Sequence, residues 1–205
     1  MDNIFSFFAQ NISTLGDPYR HSDWGSDILD KSSIDFIRTF NGAYFFDNSL
    51  HFFRVGYKSV IFHDAELING MIRHYYSDFV YESIFFAEDI FGNLFGIETS
   101  GDIILFNIES AEKEIISNGF SNYLNAIFNE LDYYTGNKFA TDTEVLNQLN
   151  KGYRFCPKYP FVLGGEYDLK NLVLKPFEEN YIFNSNLAKQ IKEQPDGTNF
   201  KISIH

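Results

Sequence analysis

The chain has 205 residues, 44% of them hydrophobic and 19% aromatic, with 24 Phe and 13 Tyr. That is the length of one compact domain, or of a domain with a sizeable appended arm, with enough apolar surface to offset the entropy of ordering it, so a disordered chain is excluded. Its 28 acidic and 16 basic residues give a net charge of −12, a sign that repels phosphate backbones and argues against nonspecific nucleic-acid binding.

The charge is uneven. Residues 1–150 carry 22 acids and 8 bases, net −14, and residues 151–205 carry 6 acids and 8 bases, net +2. An acidic face serves solubility or steers a basic partner, and composition leaves both open. The single cysteine, Cys156, has no internal disulfide partner and fits a reducing compartment, so the expected location is the cytoplasm. No export signal is expected around Met1-Asp2-Asn3, and no apolar run approaches the roughly 18 residues that span a bilayer, so no membrane partner is expected.

Ile4, Phe7, Phe8, Ile12 and Leu15 recur at helical spacing and predict a short amphipathic helix over residues 3–15, ended by Asp17-Pro18. Ser32 and Ser33 offer a cap for a second helix carrying Ile34, Phe36, Ile37 and Phe40, which Asn41-Gly42 closes. Leu50–Val55 and Ser59–Phe62 read as a hairpin about Gly56. Asp64 begins a helix through Tyr76. Ile84–Ala87, Leu94–Glu98 and Ile103–Asn107 are short strands divided by Phe91-Gly92-Asn93 and Ser100-Gly101-Asp102, turn chemistries that predict an antiparallel meander.

Lys113–Ser117 extends that meander, and Phe120, Tyr123, Leu124, Ile127, Phe128 and Leu131 mark a helix ending near Gly136. A shorter helix, Thr143–Leu149, is capped by Asp142 or Thr141 and stopped by Gly152. Beyond it, Pro157 and Pro160 enforce extended backbone and Gly164-Gly165 a turn. Strands Asn171–Leu174 and Phe200–Ile204 then flank a helix near Leu187–Gln194 that Pro195-Asp196-Gly197 ends. The class is α+β.

No chemistry stands out. His21, His51, His63, His74 and His205 lack the paired spacing of zinc sites, and edge or surface positions account for them, so no metal or other cofactor is expected. Cys156 beside a proline in an apolar stretch reads as a structural thiol. Glu88-Asp89 and Glu98 with Asp102 are carboxylate pairs of the kind that perform acid–base work, but 28 acids produce such pairs by chance. No nucleophile elbow, Walker loop or dinucleotide-binding turn occurs. What remains is surface: Tyr75, Tyr76, Tyr133 and Tyr134 among acids read either as a protein-binding rim or as tyrosines half buried over a core.

Several blocks together resemble the SUKH superfamily, which joins bacterial toxin-immunity proteins to fungal cell-wall synthesis regulators. Ile34-Asp35-Phe36-Ile37-Arg38-Thr39-Phe40-Asn41-Gly42-Ala43 is similar to its first core helix and Asn-Gly turn, with Leu50–Val55 as the next strand. Phe86–Ile97 followed by Gly101–Phe106 is similar to its central hairpin, and Gly119-Phe120-Ser121-Asn122-Tyr123-Leu124 to the start of the following helix. Gly152–Glu166 and Ala188–Gly197 resemble blocks of a longer subgroup.

The resemblance covers roughly residues 30–205 and implies a single SUKH-like domain. It comprises an N-terminal segment 1–28 outside the resemblance, a core 29–150 with a mostly antiparallel sheet flanked by helices, and a strand-helix-strand extension 151–205. It further implies a non-catalytic protein that neutralises a cognate toxin by binding it. With the −14 segment, the expected partner is a basic toxin such as a nuclease domain, met by Glu112, Glu114, Glu130, Asp132, Tyr133 and Tyr134. The alternatives are a regulatory or scaffolding module, as the fungal relatives suggest, and an enzyme with a carboxylate site at Glu98 and Asp102.

Overall fold

Short runs rich in Phe, Tyr and Ile form seven strands that pair in the order in which the chain makes them. The computed structural model describes residues 2–25, 27–57, 64–80, 82–140 and 143–192. The strands are β1 (Ile12–Thr14), β2 (Tyr44–Phe45), β3 (Leu50–Phe52), β4 (Ile84–Asp89), β5 (Leu94–Ile97), β6 (Asp102–Phe106) and β7 (Lys113–Asn118). Every neighbouring pair is antiparallel.

On one face lie α1 (Asp2–Gln10), α2 (Lys31–Thr39) and α4 (Phe120–Asn129), which α5 (Leu131–Thr135) continues after a break at Glu130. The other face is covered by α3 (Ala65–Tyr75) and α7 (Phe177–Lys192). With helices on both faces, all four residues of β5 are buried. Phenylalanine dominates the first interface: the ring of Phe36 sits 4.7–5.4 Å from those of Phe8, Phe40, Phe52 and Phe120. A bulge in β4 places Phe86 against Phe120 and Tyr123 while Phe85 meets Phe106 across the sheet. Asn69 of α3 bonds both the N–H and the C=O of Phe85, satisfying backbone at the irregularity.

The remaining elements, α6 (Thr143–Leu149), β8 (Tyr153–Pro157) and β9 (Leu172–Pro176), form a satellite. β8 and β9 pair antiparallel, and Phe155, Leu172 and Leu149 bury a second small core against Ile90, Phe91 and Phe139.

The meander, β7 and α6 match the sequence expectation, and five assignments are corrected. The N-terminal helix stops at Gln10, where Asn11 turns its amide onto Phe7 O, and Ile12–Thr14 joins the sheet, so this segment belongs to the fold. The cap of α2 is Asp30, whose carboxylate accepts from the N–H and hydroxyl of Ser33. Gly42 adopts the left-handed conformation, whereas Asn41 clasps the backbone of Val55 through its side chain. β3 is shorter than expected and is flanked by β2 and β4, and the hairpin partner expected at 59–62 lies outside the described residues.

In the C-terminal extension, the strand at residues 172–176 pairs back onto β8, and α7 is 16 residues long because Phe177–Tyr181 already packs on the sheet. The expected caps Thr141 and Asp142, the ending at 195–197 and the strand 200–204 fall outside the described residues.

Phe8 is fully buried against Phe36, Phe45 and Phe46. Phe8→Ala should lower the unfolding free energy in urea by about 3–5 kcal/mol. A cost near zero would mean that the first strand and helix are an appended arm.

Candidate protein interface

Two clusters of ionisable residues flank the turn between β4 and β5, and one of them is closed to solvent. Glu88, at the centre of the sheet, receives His51 Nδ1 at 2.9 Å and Arg154 Nη2 on one oxygen and the Tyr181 hydroxyl at 2.8 Å on the other. Tyr44 stacks flat on His51 with ring centroids 3.9 Å apart. Arg154 also donates to Leu149 O and Tyr153 O. All five side chains are buried.

Burial works against the Glu88 carboxylate, but Arg154 and His51 outweigh it and hold it down at about 2. Burial drives the His51 imidazole down to about 4, so it is neutral. The expectation that His51 occupies an edge or surface position is therefore overturned; it sits in a buried ion cluster linking the sheet to the extension. His74 is exposed as expected, and His63 and His205 lie outside the described residues. Cys156 is buried, and its thiol is pushed up to about 11, which makes it a poor nucleophile.

The other cluster opens outward. Glu112 from the β6–β7 turn, Glu114 from β7 and Tyr133 from α5 line a groove of about 460 Å³ with Leu105, Tyr167 and Asp89. Tyr133 and Tyr167 are 66% and 59% exposed, an unusual outlay of aromatic surface. The Tyr133 hydroxyl lies 3.4 Å from Glu114 Oε2, whose charge pushes the phenol up. Tyr167 is stiffened by stacking on Phe161 at 3.7 Å, and Glu109 anchors that loop by accepting the Val162 N–H at 2.9 Å. Asp89 accepts the N–H groups of Phe91 and Asn93 and the Asn93 amide, yet burial pushes it up to about 7.

The nearby base Lys113 is engaged with Glu98 at 2.9 Å and Ser83 at 3.1 Å. Among the described residues neither Glu112 nor Glu114 has an ion-pair partner.

Of the six residues singled out in the sequence, the structure brings Glu112, Glu114 and Tyr133 into this groove. Glu130 and Asp132 are exposed on the adjoining helix junction, and Tyr134 is half buried against the core. Tyr76, for which the sequence left a binding rim and a half-buried place over the core open, is fully buried and donates to Ile108 O. Tyr167 and Asp89 were missed as groove residues; the signal for Tyr167 was the run of aromatics Tyr159, Phe161 and Tyr167 between β8 and β9. Glu88 and Asp89 point to opposite faces, so they do not form an acid–base pair, and Glu98 is tied to Lys113.

No protein-family model matches the chain, and no curated protein matches it. Its fold is similar to that of Atu4351 from Agrobacterium tumefaciens. The TM-score is 0.52 over 85% of each chain at 10% identity, so the likeness concerns the fold alone. Among the described residues no helix is long and apolar enough to cross a membrane, and no group of three or more His, Cys, Asp or Glu is placed to hold a metal ion.

Proposed function

We propose that this is a non-catalytic, SUKH-like immunity protein acting in the cytoplasm, which binds a cognate toxin, a basic nuclease domain, and occludes it. The observation that carries this reading is the groove itself, where the exposed Tyr133 and a stacked Tyr167 border Glu112 and Glu114, which among the described residues have no ion-pair partner. Opposite charge raises the encounter rate and the aromatic rings hold the complex once water is excluded.

The test is capture from the native host at low and high salt, followed by assay of the captured protein for nuclease activity. A stoichiometric nuclease that the protein inhibits supports the reading. The triple variant Glu112→Gln/Glu114→Gln/Tyr133→Ala should then bind it about 10–100-fold more weakly, and the wild-type association rate should fall with salt. Recovery of a housekeeping complex in place of a toxin would favour the regulatory module, and salt-independent association would remove the steering component.

A further inference from the structure

The strand beside this groove ends the sheet. β6 takes one edge of β7, and among the described residues no strand takes the other. The Asn107 N–H donates to Glu112 O at 2.9 Å across the β6–β7 turn, and Leu105 pairs with Glu114 two residues on. In an antiparallel ladder bonded and non-bonded pairs alternate, so the N–H and C=O groups of Lys113 and Ile115, between and beyond those pairs, point off the sheet.

Sheet edges are normally blunted by short strands, bulges, charge or covering elements. The opposite edge shows this: β1 has three residues, and Asn150, just past α6, reaches to 3.4 Å from Thr14 Oγ1. β7 has six residues, its register irregularity falls beyond Ile115, and the ammonium of Lys113 is held by Glu98 and Ser83. Lys113, Glu114 and Ile115 are all exposed, Ile115 at 67%.

We infer that β7 is a docking edge on which the partner lays an extended segment as an eighth strand, its side chains alternating basic and apolar. This rests on the proposed immunity reading and specifies its partner. Along this edge Glu112 and Glu114 lie on one side, and Lys113, its ammonium held by Glu98 and Ser83, and Ile115 lie on the other. Glu112 and Glu114 face the groove with Tyr133 and match basic residues, while Ile115 on the opposite side matches apolar ones. A second copy of this chain fits poorly. The two-fold register that joins the outward groups of Lys113 and Ile115 sets Glu114 directly opposite Glu114 of the second copy, a like-charge pair in a chain of net charge −12.

The probe is an acetylated and amidated octapeptide of four Lys-Val repeats, titrated at low salt into the full 15N-labelled chain. Two controls accompany it: the same peptide N-methylated at alternate residues, which keeps the charge but cannot pair, and a Glu-Val octapeptide. The Lys-Val peptide should shift the Lys113 and Ile115 amides and slow their exchange. N-methylation or Ile115→Pro, which removes an outward N–H and leaves the ladder to β6 intact, should weaken binding at least about tenfold. If Ile115→Pro fails to fold, the methylated peptide decides.

Equal binding of the methylated peptide, perturbation mapping elsewhere, or no binding overturns strand addition. So does a concentration-dependent dimer that Ile115→Pro abolishes. A captured toxin bound equally by wild type and Ile115→Pro would also overturn the edge while leaving the acidic-interface reading standing. Capture of no toxin, with the peptide results as expected, would sink the immunity reading instead.

Discussion

Arg154→Met should destabilise the protein by about 3–5 kcal/mol in urea unfolding, the cost of leaving a buried carboxylate without its counter-ion. Arg154 is 1% exposed, and its guanidinium meets Glu88 and two carbonyls, on Leu149 and Tyr153, that no other cation among the described residues meets. Lysine at this position should not rescue, because a single ammonium cannot reproduce the fork. The double variant Arg154→Met/Glu88→Leu should recover much of the loss, since removing both charges also removes their desolvation. A cost below about 1 kcal/mol for the single variant, the usual worth of an exposed pair, would mean that the cluster is not what fastens the extension to the sheet.

The second large effect is on pH dependence. Relative to the wild type, Asp89→Asn should make stability rise more steeply with pH between about pH 4 and 6.5, by about 1 kcal/mol per pH unit. His51 is held at about 4 against 6.5 when unfolded, so the unfolded chain takes a proton that the folded one refuses. Its contribution is present above 6.5 and is lost as pH falls through 4. Asp89 is held at about 7 against 3.8, so the folded chain keeps the extra proton; that contribution is present below 3.8 and is lost as pH rises through 7. Between 4 and 6.5 the two slopes oppose.

Removing Asp89 leaves the His51 slope, and His51→Gln leaves the opposite, falling one. Below this window Glu88, held at about 2 against 4.5, adds a loss of stability as pH falls through 2. Urea midpoints at half-unit pH intervals check all three. An Asp89→Asn profile parallel to wild type would show that Asp89 carries no proton in the folded protein.

The meander was legible in the sequence because Gly92 and Gly101 take left-handed turns between short aromatic runs, a purely local signal. α4 was legible because Phe120, Tyr123, Leu124 and Ile127 all face the core. β1 was not, since Ile12 continues a helical spacing and only its pairing with Phe45, 33 positions away, makes it a strand. The first half of α7 was obscured because Asn180, Asn184 and Ser185 face inward, so polar side chains interrupt the apolar stripe.

The same non-locality governs the candidate site. Glu112, Glu114 and Tyr133 were found as acids and tyrosines close in sequence, whereas Tyr167 arrives from the extension. The Glu88 cluster draws on residues 44, 51, 154 and 181, which no spacing rule connects.

A ribosome releasing this chain delivers the strands of the sheet in the order in which they pair, so the sheet can close progressively as it emerges. The clasp cannot. Arg154 follows Glu88 by 66 residues, and at about 5–20 residues per second the carboxylate waits roughly 3–13 seconds for its cation. Through that interval the nascent sheet must keep the centre of β4 hydrated or protonated, and dry closure of this face waits for the late-arriving extension.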